Sequence, residues 1–125
     1  MQNKRHFFFA VFLFYIVLLI FLLFNNDLNL NYSRYPLEDK CVHFGAFFLG
    51  QLLILLAGKK SGFIRRICYM FFLLLPAIAE WVQESLSRRV SDFNDMLVAY
   101  FGITSCLILW YLIKFIHHYF FLKER

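Results

Sequence analysis

Three short polar clusters hold the residue types in this chain that could do chemistry. They are Asp39-Lys40-Cys41-Val42-His43-Phe44, Glu80-Trp81-Val82-Gln83-Glu84 and Arg88-Arg89-Val90-Ser91-Asp92-Phe93-Asn94-Asp95. Asp39 and His43 are four positions apart and share a helix face; Gln83 and Glu84 follow Glu80 at three and four. Asp92, Asp95, Ala99 and Gly102 form an i, i+3, i+7, i+10 stripe. An imidazole among carboxylates can transfer protons or hold a metal ion. Lys40, Arg88 and Arg89 can grip a phosphate, such as a lipid headgroup or a polyprenyl phosphate. The same residues also allow a plain salt-bridge network, with Arg89 on Glu80 or Asp95 and Lys40 on Asp92. Asp92 and Asp95 would then sit in the first turn of a helix, where acids favour the dipole. The spacing is loose for metal ligation, so no metal and no other cofactor is expected. Ser85, Ser87 and Cys41 lie in the same layer, but no Ser-His-Asp or Cys-His order accompanies them, and catalysis stays an open question.

The elements that position these clusters are apolar. The chain has 125 residues, is 62% hydrophobic and contains 18 Phe. A soluble domain of this size could not bury that much apolar surface, so the solvent is lipid. Four apolar runs stand out, over residues 7–24, 41–57, 67–82 and 96–113. The first is free of charge and as a helix covers about 27 Å, enough for a hydrocarbon core. Lys4 and Arg5 precede it as in a signal peptide. However, Asn25-Asn26-Asp27-Leu28 lacks the small-residue cleavage pattern, and the run exceeds a typical signal core. It reads as a retained span. The second and third runs are near the lower limit for spanning, and Pro76 predicts a kink in the third. The fold expected is all-α: a polytopic bundle of four transmembrane helices forming a single domain over residues 1–125.

The net charge of +5 comes from short basic groups next to apolar runs rather than from a continuous patch. That pattern excludes a nucleic-acid partner and signals topology. Bases dominate at Lys4 and Arg5, at Lys59, Lys60, Arg65 and Arg66, and in the tail at Lys114, Lys123 and Arg125. The other two loops are mixed in sign. The positive-inside rule then makes both termini cytoplasmic and puts all three clusters on the outer side. Cys41, Cys68 and Cys106 have no paired spacing; the last two read as core residues and Cys41 as exposed. Gly45 and Gly50 read as points of close helix approach. Trp81 and Tyr100 fit an outer aromatic belt, Trp110 and Tyr111 an inner one. His117 and His118 read as interfacial.

The ordered motifs Asp39-Lys40, His43-Phe44, Glu80, Gln83, Arg89, Asp92, Asp95 and Gly102 resemble the VanZ-like family. Its pattern is Asp-Lys-x-x-His-Phe, then Glu-x-x-Gln, an Arg six residues on, Asp three and six beyond that Arg, and often Asn-x-x-Gly. The match covers most of residues 39–102; the Asn expected three before Gly102 is Ala99 here. The resemblance implies a small multi-pass protein of the bacterial inner membrane, in a family linked to teicoplanin resistance at the cell envelope. It implies membrane lipids as partners, with a lipid-linked cell-wall precursor or a glycopeptide as further ligands and room for a homo-oligomer or a membrane-protein partner. The candidate binding cluster is Asp39, Lys40, His43, Glu80, Gln83, Arg88, Arg89, Asp92 and Asp95. The alternatives to binding are an enzyme acting on lipid-linked phosphate and a purely structural subunit.

Overall fold

A computed structural model describes residues 2–24, 36–58, 62–86 and 93–121. They form α1 (Gln2–Phe24), α2 (Pro36–Ala57), α3 (Phe63–Leu86) and α4 (Phe93–Phe121). Each helix contains one of the four apolar runs and extends beyond it, because backbone hydrogen bonding continues after the side chains turn polar. Pro36 opens α2, where a missing N–H costs nothing. Gly58 closes it with φ +76° and donates its N–H to the Ile54 carbonyl at 3.3 Å, a left-handed cap that glycine adopts without strain. Gly62 accepts from the amides of Arg65 and Arg66 as α3 begins.

Three helices are long and apolar enough to cross a membrane, over Asn3–Leu22, Lys40–Ala57 and Phe93–Phe120. The third run of the sequence does form a helix. However, α3 carries Arg65, Arg66 and Glu80, which leave it no comparably uncharged stretch among the described residues. α3 is also the most one-sided of the four, with Phe72, Leu75 and Ala79 buried while Met70, Leu74 and Trp81 are exposed. The protein is thus a helical membrane protein with an all-α fold.

α2 packs most extensively against α4 and next against α1, while α3 touches α4 and α1. The residue pairings show that α2 and α4 run parallel: Lys40 meets Asp95, and Phe44 and Phe48 meet Gly102. α1 and α3 run the other way, with Phe12 on Phe72 and Tyr15 reaching the Ala46 carbonyl at 2.6 Å. The core is Phe12, Ile16, Leu19, Phe47, Phe72, Leu75, Ala99 and Ile103. At its centre Phe12 lies edge-on to Phe72, with ring centroids 5.7 Å apart, and Phe47 packs on the other side of Phe72 at 5.6 Å. Outward-facing Phe14, Val17, Ile108 and Leu112 remain exposed, which suits a bundle whose surroundings are hydrocarbon.

Glycine sets the tightest crossing, though not at both expected positions. Gly50 behaves as expected, since a Cβ there would fall 2.5 Å from the Phe72 ring. Gly45 does not, because nothing lies within 4 Å of where its Cβ would be. Backbone meets backbone at Gly102, whose Cβ would fall 2.5 Å from the Phe44 carbonyl oxygen. Pro76 lies inside a continuous α3, and the Tyr100 hydroxyl donates to the Leu73 carbonyl at 3.1 Å in the turn that Pro76 loosens.

Candidate functional site

The parallel pairing of α2 and α4 builds one polar site. Gly102 lets the two backbones touch near Phe44. One position before Phe44, His43 therefore faces α4 about two turns before Gly102, where Asp95 projects. The antiparallel α3 then delivers Glu80 between them. Ligand-type atoms of His43, Glu80 and Asp95 all lie within 4.8 Å of one another. Lys40, one turn before His43 on α2, places its Nζ 3.1 Å from Asp95 Oδ1. The four side chains come from three helices and meet at one depth.

This site is partly closed to solvent. Asp95 is 8% exposed, His43 and Glu80 are half-buried, and the Oε2 oxygen of Glu80 is fully covered. A tight crevice, too closely packed to admit a water molecule, adjoins the charges; Phe47, Pro76, Ala79, Met96 and Ala99 line its apolar side and His43, Glu80 and Asp95 its polar side. Asp95 lies in the first turn of α4, where exposed backbone amides and the helix dipole favour its negative charge. An imidazole, two carboxylates and an ammonium in this arrangement can exchange protons, accept hydrogen bonds from hydroxyl or amide donors, or surround a cation.

Of the nine candidate residues, the structure brings Lys40, His43, Glu80 and Asp95 together. Asp39 and Gln83 lie on α2 and α3, but their side chains fall outside the described set. Arg88, Arg89 and Asp92 lie outside the described residues altogether. Lys40 pairs with Asp95, which the 3.6-residue period turns toward α2 beside Ala99 and Gly102, while the expected pairing of Lys40 with Asp92 falls on a residue outside the described ones. The spacing that looked too loose for metal ligands gathers three ligand-type side chains once the helices pack. The hydroxyl of Ser85 turns back to the Trp81 carbonyl at 2.8 Å, and Cys41 is exposed; neither joins the cluster.

A second polar contact at the opposite end was not anticipated. Arg65, read from sequence as a topology signal, is 8% exposed. Its guanidinium stacks 4.5 Å above the Phe9 ring and contacts His6 Nδ1 at 3.3 Å. A further contact at 3.4 Å reaches the Ala57 carbonyl, one of the acceptors left over at the end of α2. Arg65 thereby ties α1, α2 and α3. The sequence signal was available: an arginine one turn into α3 and a glycine cap on α2 must come close if the connection between the helices is short.

Fold and site together define a helical membrane protein with a charged crevice between three helices. No protein-family profile, no curated protein and no solved structure matches the chain.

Proposed function

We propose that the chain is a four-span protein of the bacterial inner membrane, with both termini cytoplasmic, and that its crevice binds the polar headgroup of an amphiphile at the outer leaflet. The observation that carries this reading is the meeting of His43, Glu80 and Asp95 from three helices beside Lys40. Charges at the end of membrane helices are costly unless they compensate one another or engage a ligand. Here they edge a tight apolar crevice, so a polar cluster and an apolar surface adjoin, the pairing that an amphiphile's charged head and hydrocarbon body would meet as the crevice opens.

The ordered motifs support membership of the VanZ-like family and, through it, a lipid headgroup, a lipid-linked cell-wall precursor or a glycopeptide as ligand. Lys40 is one described cation at the mouth, and Arg88 and Arg89 follow α3 in sequence with more positive charge. They suit a phosphate. His43, Glu80 and Asp95 suit the hydroxyl and amide donors of a sugar or peptide moiety. In this reading α3 is the fourth span, its charges sitting at the two membrane faces. A second reading, catalysis on a lipid-linked phosphate, draws on the same imidazole–carboxylate grouping.

A thermal-shift series in detergent tests the proposal. Wild type should be stabilised by polyprenyl phosphate or anionic lipid, since a ligand that binds only the folded state raises its stability. Arg89→Gln should leave the ligand-free protein nearly unchanged and abolish that stabilisation. Equal responses of wild type and variant to every lipid would favour a structural role. Release of inorganic phosphate from the lipid would favour the enzyme.

A further inference from the structure

We propose that His43, Glu80 and Asp95 form a binding site for one divalent transition-metal ion of the zinc class at the mouth of the crevice. This inference rests on the reading of the crevice as a binding site, but not on which headgroup enters it. Three observations carry it. The donor atoms come from three helices and lie within 4.8 Å of one another. Ligands around a tetrahedral zinc sit roughly 3.3 Å apart, given zinc–ligand distances of about 2.0–2.2 Å. The remaining gap is about 1.5 Å, a distance that a change of side-chain rotamer would have to close. The donor set is one imidazole and two carboxylates, which suits zinc and its neighbours better than magnesium, an ion that prefers oxygen ligands and water.

Burial supplies the second argument. Asp95 is 8% exposed, and the Oε2 oxygen of Glu80 is fully covered. A surface pair of acids would be hydrated and weakly ligating; acids held against Phe47, Pro76 and Ala99 have lost most of that hydration. A bound cation would add to the compensation that Lys40 already gives Asp95.

Charge is the third argument. Counted with the imidazole neutral, the described side chains Lys40, Glu80 and Asp95 sum to a formal charge of −1, which attracts a cation. A bound dication reverses the sign and gives a phosphate a direct partner. Lys40 is the resident counter-cation, 3.1 Å from Asp95 Oδ1, and its side chain is 31% exposed. It can swing outward on its flexible stem as the metal enters. Lys40 and the metal therefore compete for Asp95, and removing the lysine should strengthen metal binding.

The experiment uses the full chain in detergent, stripped with a chelator and titrated calorimetrically with zinc chloride alone. Wild type should bind one zinc per chain. His43→Ala and Asp95→Asn should each weaken binding by about 100-fold or more, since losing a ligand costs at least what losing a ligand's hydrogen-bond partner does. Lys40→Met should strengthen it about tenfold. A double His117→Ala/His118→Ala variant must retain wild-type affinity, which separates this site from the exposed histidine pair on α4. Magnesium chloride should give no heat of binding. Folding of each variant is checked by circular dichroism and gel filtration. Should His43→Ala or Asp95→Asn fail to fold, the gain in Lys40→Met and the absorption spectrum of bound Co²⁺, sensitive to nitrogen and oxygen ligands, decide the matter. No zinc binding in wild type, binding lost with His117 and His118, or unchanged affinity in Lys40→Met would overturn the inference. A chelated protein that takes polyprenyl phosphate but no zinc would overturn the metal site while leaving the headgroup reading intact. A protein that takes zinc but no amphiphile would do the reverse.

Discussion

Lys40 and Asp95 are 55 positions apart in sequence, yet their side chains meet at 3.1 Å across the α2–α4 interface. The two sides are unequal: the lysine side chain is 31% exposed and the aspartate 11%. Loss of the lysine strands a buried charge, whereas loss of the aspartate leaves a lysine that can turn into water. Lys40→Met should therefore cost more stability in chelator than Asp95→Asn, about 2 kcal/mol against about 1 kcal/mol. The double variant should recover much of the larger loss. Thermal unfolding of the four proteins in one detergent completes the cycle, and strict additivity would show that the pair is not coupled.

Gly102 should be irreplaceable where Gly45 is not. A Cβ at Gly102 meets the Phe44 backbone, which cannot step aside, so Gly102→Ala should cost about 2 kcal/mol or more. Gly45→Ala meets open space and should be neutral or slightly stabilising, as expected from helix propensity. Equal melting temperatures for the two variants would contradict the α2–α4 crossing.

The contrast between these glycines shows what a single sequence discloses. Gly45, Gly50 and Gly102 all lie within or beside apolar runs, and only the packed helices reveal which ones face a neighbour. The helices themselves were legible because uncharged runs leave few alternatives. Their starts were less so, since α2 begins at Pro36 and α3 at Phe63, ahead of their apolar runs. His43, Glu80, Lys40 and Asp95 were legible as one layer, because acids and bases at matching depths stand out against 18 Phe. The pairing of Lys40 with Asp95 was not legible, because a single sequence does not tell how α2 and α4 rotate toward each other. The burial of Arg65 was hidden for a related reason: a base near a membrane end reads as a topology signal whether or not a neighbouring helix covers it.

Arg65 should behave as a structural clasp that lysine cannot replace. Its planar guanidinium stacks on Phe9 while reaching both His6 and the Ala57 carbonyl, geometry that an ammonium cannot reproduce. Arg65→Lys should lower stability by about 1–2 kcal/mol and Arg65→Ala by more, with His6→Ala intermediate. Full rescue by lysine, read from thermal unfolding, would mean that charge alone is what the position needs.

Topology can be checked chemically. In a Cys41→Ser background, which removes an exposed native thiol, a cysteine placed at Asn31 should react with a membrane-impermeant reagent in intact cells. One placed at Ser61 should react only after permeabilisation. The reverse pattern would put the crevice on the cytoplasmic side and change the class of headgroup it meets.

Photo-crosslinking shows whether the crevice takes an amphiphile headgroup. A polyprenyl phosphate carrying a diazirine next to its phosphate is added to the purified protein, irradiated, and mapped by peptide mass spectrometry. Adducts should concentrate at the crevice, on the segments around His43 and Met96, and disappear when unlabelled polyprenyl phosphate competes. Adducts spread evenly over the exposed apolar faces of α1 and α4, insensitive to competition, would contradict headgroup binding there.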